Sequence, residues 1–167
     1  QVRTLALVLL YNLAVHGRYR KMLLEKQVLP ALSPMLAQGA LRMLLSTVAV
    51  MFLIGGEAKH PLLIFNDRQD NIPALVRCLH ASLRDQRVYG IHWNPRHLVQ
   101  ALATAVLFEP NLRAVAKSGA DSDLQLFIRK IQDDAYSVKI AREIRTHLAG
   151  ALASHLSSSL PSSLADA

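Results

Sequence analysis

The strongest constraint on how this 167-residue chain can fold is an echo in its sequence. Leu29-Pro30-Ala31-Leu32 returns as Ile72-Pro73-Ala74-Leu75, with Pro30 and Pro73 standing 43 positions apart. A third, looser copy, Asp121-Ser122-Asp123-Leu124, begins 49 positions after the second. Each copy opens a short helix with a residue type that tolerates or caps a first turn: proline, whose missing N–H costs nothing there, or Ser/Asp, whose side chain satisfies a free N–H. Each is preceded by a short apolar helix and, before that, by a longer one. Three short helices cannot cover their own apolar faces, so such units must stack on one another.

In chain order, Val2 to Val15 reads as a helix with apolar stripes at i, i+4 (Leu5/Leu9/Leu13 and Ala6/Leu10), stopped by Gly17. Arg18 to Lys26 is a short helix, and Pro30 opens the next, which ends near Gln38-Gly39. Ala40 to Ile54 is the second long helix, and its run MLLSTVAVMFLI from Met43 is apolar on all sides. Lys59 to Phe65 is a weak helical stretch, and Asn71 is expected to cap the helix over Ala74–Leu83. Arg84 to Arg96, with Gly90, Asn94-Pro95 and the only tryptophan, reads as a long loop that absorbs the six extra positions. A third long helix is expected over His97–Phe108, then short helices over Asn111–Lys117 and Ser122–Ile131. The last helix, Ala135–Leu156, has one apolar stripe, Val138/Ala141/Ile144/Leu148/Leu152, as suits the end of a stack. Residues 1–156 thus form one all-α domain, and the Ser-rich residues 157–167 read as a flexible tail.

Composition agrees with helices. The chain is 51% hydrophobic and only 5% aromatic, rich in Leu and Ala, which lose little side-chain freedom in a helix. Met43–Ile54 is too short to span a bilayer, which takes about 20 residues. Cys78 is alone, so no internal disulfide can form and an intracellular, cytoplasmic setting is expected. The chain begins with Gln rather than Met, as a piece of a longer protein would. On that reading its first helix should expose an apolar face.

The residues that carry the echo also carry a family likeness. Asn12-Leu13-Ala14 resembles the end of the third helix of an armadillo repeat, and Asn111 to Ala120 resembles its first helix with the usual Gly-Ala ending. Val28–Leu32 and Asn71–Leu75 resemble the start of its second helix. The likeness covers about residues 2 to 156, three to four units of an armadillo-like or HEAT-like α-solenoid, whose period is about 40 to 47 residues. It implies a concave face lined by the long third helices and a role in binding protein or peptide partners. It also implies a row of asparagines on those helices. Only Asn12 matches that row, and Thr104 stands at the corresponding place in the third unit, which argues against peptide clamping of the importin-α kind.

Catalytic patterns are missing. Seven histidines form no HExxH pair, one cysteine rules out thiolate zinc sites, and no phosphate loop or GxSxG elbow occurs. Asp133-Asp134 precedes a helix, where negative charge suits the dipole better than acid–base work. No enzyme activity, cofactor or metal is expected. The expected function is a protein-interaction scaffold or adaptor whose hot spot is Trp93 with Arg87 and Arg96, residue types common at interface centres, the other reading of Trp93 being that it pins the loop to the core. Asn12 and Thr104 would contribute from the long helices, and a neighbouring helical segment would stack on the N-terminal end. The net charge of +7 supports an alternative, a basic structural component of a nucleic-acid-containing assembly.

Overall fold

The computed structural model describes residues 2–55, 60–63 and 70–158, and these are all-helical, with no strand. The long helices are α1 (Val2–Val15), α4 (Ala40–Ile54), α6 (Pro95–Ala105) and α9 (Ala135–Ser158). Between them lie α2 (Gly17–Glu25), α3 (Val28–Leu32) continued by a 3-10 turn over Ser33–Ala37, then α5 (Asn71–Ser82), α7 (Glu109–Lys117) and α8 (Ala120–Lys130). Packing follows chain order. α1 lies on α4, α4 on α6 and α6 on α9, while the short helices α2 and α3 cover α4, α5 covers α6, and α7 and α8 cover α9.

Every residue of α4 from Met43 to Ile54 is buried, because α1 and α6 flank it and α2, α3 and α5 close the remaining side. Burying a large apolar side chain contributes about 1.5–3 kcal/mol relative to leaving it in water, so α4 is the energetic centre of the fold. Its two polar residues in mid-helix, Ser46 and Thr47, are buried too. Asn71, at the start of α5, donates from Nδ2 to the Thr47 hydroxyl at 2.7 Å and to the Leu36 carbonyl at 3.3 Å. One buried amide thereby ties α5, α4 and the 3-10 turn together. The expectation that Asn71 caps α5 is corrected: the helix takes Asp70 as its cap residue, and the Asn71 side chain turns into the core.

Other boundaries also move. Gly17 opens α2 instead of ending α1; the break falls at His16, whose backbone is extended, and Arg20 holds it there. The Arg20 Nε donates to the Ala14 carbonyl at 2.8 Å and its Nη2 to the Val15 carbonyl at 3.1 Å, satisfying the last turn of α1 with a cation. α6 begins at Pro95, two residues early, because the Asn94 side chain accepts from the Arg96 N–H at 3.0 Å and Pro95 takes the first helical position. It ends at Ala105, short of Phe108. α8 starts at Ala120 behind a left-handed Gly119 (φ 74°), which places Asp121 and Asp123 in its first turn. Of the weak stretch 59–65, only a 3-10 turn over Pro61–Leu63 lies within the described residues. α9 runs two residues into the expected tail, and the remaining positions 159–167 lie outside the described residues.

Asp133-Asp134 precedes α9 as the sequence suggests, and Asp134 also fills its cap. It accepts from the Ser137 N–H at 3.0 Å and from the Ser137 hydroxyl at 2.6 Å, and these bonds hold its carboxyl below the usual range. On the apolar side of α9, Val138, Ala141, Ile144 and Leu148 are buried, whereas Leu152 is 55% exposed and drops out of the stripe. A buried carboxylate fastens α5 to α8: Asp123 meets His80 Nδ1 at 3.0 Å and Arg84 Nη1 at 3.2 Å.

Candidate interaction surface

The connection between α5 and α6 ends in a tight hairpin. Val88 and Ile91 exchange backbone hydrogen bonds at 3.1 and 3.2 Å around Tyr89 and Gly90, both with positive φ (52° and 78°). That is the arrangement of a type I′ turn, which favours Gly or Asn at both central positions. Gly90 fits it. Tyr89 does not: a side chain in the left-handed region costs on the order of 1–2 kcal/mol. Tyr89 is nonetheless 48% exposed, and Arg87 beside it is exposed as well.

Trp93 fixes the base of this hairpin. It is 4% exposed, donates from Nε1 to the Val88 carbonyl at 3.2 Å and packs edge-on against Tyr11 of α1, with ring centroids 5.8 Å apart. Trp93 is therefore a core residue that pins the loop: the large apolar area of the indole is more stable packed against Tyr11 than left in water. The Tyr11 hydroxyl in turn meets His97 Nδ1 at 2.9 Å, and Phe52 of α4 packs edge-on against the same imidazole. Burial pushes the Tyr11 phenol up to about 12. Burial also holds the His97 pKa below its ordinary value, helped by the nearby positive charges of His16 and Arg96. This cluster joins α1 to the start of α6 across the end of α4.

Arg96 is committed inside the protein. Its Nη2 bonds Asp133 at 2.6 Å and its Nε lies 3.3 Å from Asp134, clipping the start of α6 to the start of α9. Thr104 lies far along α6, lining a groove of about 290 Å³ between α4, α6 and α9. There a Cβ on Gly55 would come within 2.9 Å of the Thr104 hydroxyl and 2.6 Å of the Met51 carbonyl, so glycine permits the close approach. Leu107 (52% exposed) and Tyr136 (68%) form the rim of this groove. Asn12 is exposed on α1.

The five sequence-derived residues thus do not converge. Trp93 supports the hairpin from below, Arg96 ties the start of α6 to Asp133 and Asp134, Arg87 stands beside the hairpin tip, and Asn12 and Thr104 lie on separate surfaces. Tyr89 escapes sequence reasoning, because a tyrosine next to a glycine gives no sign that the turn forces it left-handed.

Among the described residues no three His, Cys, Asp or Glu side chains converge to hold a metal ion, and no helix is long and apolar enough to cross a membrane. Cys78 is fully buried, and burial pushes its thiol up to about 12. No protein-family model matches the chain, and no curated protein or solved structure does either.

Proposed function

We propose that this chain is a protein–protein interaction scaffold on an armadillo-like stack of three to four helical units, with the hairpin tip as its contact point. The observation that carries this reading is Tyr89, held at φ 52° and exposed, with Arg87 alongside. Backbone strain at an exposed aromatic brings no packing gain to the free chain, so its use is sought in a complex. Tyr and Arg are the residue types that dominate binding energy at interface centres. Trp93 acts as a positioning residue that holds the hairpin against α1, and Arg96 fixes the start of α6 against α9. The serial packing of α1, α4, α6 and α9, each long helix after α1 covered by the short helices before it, supports the solenoid reading.

The test is affinity capture from the native source with the wild-type chain, an Arg87→Ala/Tyr89→Ala variant, and a groove variant Leu107→Ser/Tyr136→Ser. Loss of partners by the hairpin variant alone, with its melting temperature unchanged, is the expected result. Retention of every partner by that variant contradicts the assignment.

The net charge of +7 supports a second reading, a basic component of a nucleic-acid-containing assembly. Titration against RNA at two salt concentrations decides it: binding that does not weaken steeply with salt, or no binding at low salt, removes this reading.

A further inference from the structure

α1 carries an unusual stripe on the side turned away from α4. Leu5, Leu9, Asn12 and His16 follow one another at i, i+4, i+7 and i+11, which places them on one face of a helix, and all four are exposed. Leu5 is 69% and Leu9 59% exposed, the two most exposed leucines among the described residues. Beyond His16 the surface becomes cationic. Arg18 stacks over the Tyr19 ring at 4.5 Å, and His16 meets the same ring edge-on at 6.5 Å. Between residues 1 and 56 the sequence has six Lys or Arg but a single acid, Glu25. That acid approaches Lys21 at 3.9 Å, which leaves the exposed Arg3, Arg18 and Lys26 without a carboxylate partner among the described residues, and of these Arg18 adjoins the His16 end of the stripe through Tyr19.

We propose that this stripe is a docking seam for an amphipathic helix of a partner protein, one whose contact edge is leucine-like at one end and carries carboxylates at the other. The leucine pair at i, i+4 supplies the ridge that a second helix packs against, as the opposite side of α1 (Leu7, Tyr11, Ala14) packs on α4. Charge sets the partner's chemistry: with Arg18 unpaired beside the His16 end of the stripe, carboxylates at that end are attracted and cations repelled. The same gradient disfavours a second copy. Antiparallel pairing sets the apolar end against the cationic one, and parallel pairing sets the cationic ends against each other. An RNA strand would satisfy the arginine and leave both leucines in water. This seam is separate from the hairpin, so either assignment can fail without the other.

The experiment pans a displayed library of amphipathic helices with randomised charges against the whole chain, with counter-selection against a Leu5→Ser/Leu9→Ser variant. Thermal melts confirm that this variant is folded. The expected survivors carry an apolar i, i+4 pair followed by Asp or Glu. A synthetic survivor is expected to bind about ten-fold more weakly to Leu9→Ser and roughly three-fold more weakly to Arg18→Glu. The proposal is overturned by no survivors, survivors without carboxylates, binding of the survivor indifferent to Leu9→Ser, or sedimentation showing a dimer that Leu9→Ser dissolves. Binding to phosphatidylserine vesicles that the survivor fails to displace would assign the seam to a membrane surface instead, and overturns it equally.

Discussion

α1 and α4 are close in length and in apolar content, yet they occupy opposite situations. α4 is sealed along the whole of Met43–Ile54, whereas α1 buries Leu7, Tyr11 and Ala14 and leaves Leu5 and Leu9 in solvent. Their sequences do not differ enough to explain this; their neighbours do. α4 has a long helix on each side and short helices behind it, while α1 is flanked by α4 and α2 alone among the long and short helices that pack closely on it. Among packed helices, burial is a property of position in the fold as much as of the residue.

The contrast between the two helices is widest at their leucines. Leu44→Ala in α4 should cost about 2–5 kcal/mol, since a fully buried leucine leaves a cavity that its neighbours cannot fill. Leu9→Ala in α1 should change stability by less than about 0.5 kcal/mol. Urea unfolding of the two variants reads both. Equal losses would mean that the face of α1 is covered.

Gly55→Ala comes next, at about 1–3 kcal/mol lost, because its new methyl must displace the Met51 carbonyl or the Thr104 hydroxyl and push α4 from α6. The double variant with Thr104→Ala should recover part of that loss. If it recovers none, the contact with α6 is not what the glycine serves.

Tyr89→Gly is expected to act in the opposite direction, raising stability by up to about 1 kcal/mol by releasing the left-handed backbone. Thermal melts check it, and an unchanged or lower stability would remove the strain on which the hairpin assignment rests.

The smallest effect is pH-dependent. The folded pKa of His97 lies below its ordinary value of 6.5, so the unfolded chain binds the proton more readily. Its contribution is therefore fully present above about pH 6.5 and is lost as pH falls through the folded pKa. The groups that face it are Tyr11 from α1, Phe52 from α4, and the charges of His16 and Arg96. His97→Asn should lose less stability than wild type between pH 7.5 and 5.5, as measured by the shift in melting temperature. An identical pH dependence would show that His97 does not titrate with folding.

What could be read from the residues alone depended on range. The all-apolar run of α4 could only be an interior helix, and the stripe of α9 announced a one-sided one; both are encoded within a few turns. The acidic pair Asp133-Asp134 ahead of α9 was equally local. The start of α6 was readable too, since Asn94-Pro95 is a helix-opening pair, but a run of Gly, Asn and Pro around it looked like loop. The burial of Trp93 was readable only as one of two alternatives, an anchor for the loop or a contact residue. It depends on Tyr11, 82 positions earlier, and the Tyr11–His97 bond spans 86 positions with no periodic trace. The strain at Tyr89 is hidden for a related reason: the turn type is set by the pairing of Val88 with Ile91, which sequence spacing does not reveal.

The sealed α4 and the open face of α1 are tested most directly by thiol labelling at three depths. Cys78 is already a buried reporter in α5, and Val48→Cys places a second in the middle of α4, where the native residue is fully buried. Leu9→Cys places the third on the outer stripe of α1. With an aromatic disulfide reagent under native conditions, Leu9→Cys is predicted to react at the rate of an unfolded thiol, while Val48→Cys and Cys78 stay silent until the chain unfolds. A Leu9→Cys thiol as unreactive as Cys78 would contradict this picture, because the face on which the docking seam depends would then be closed.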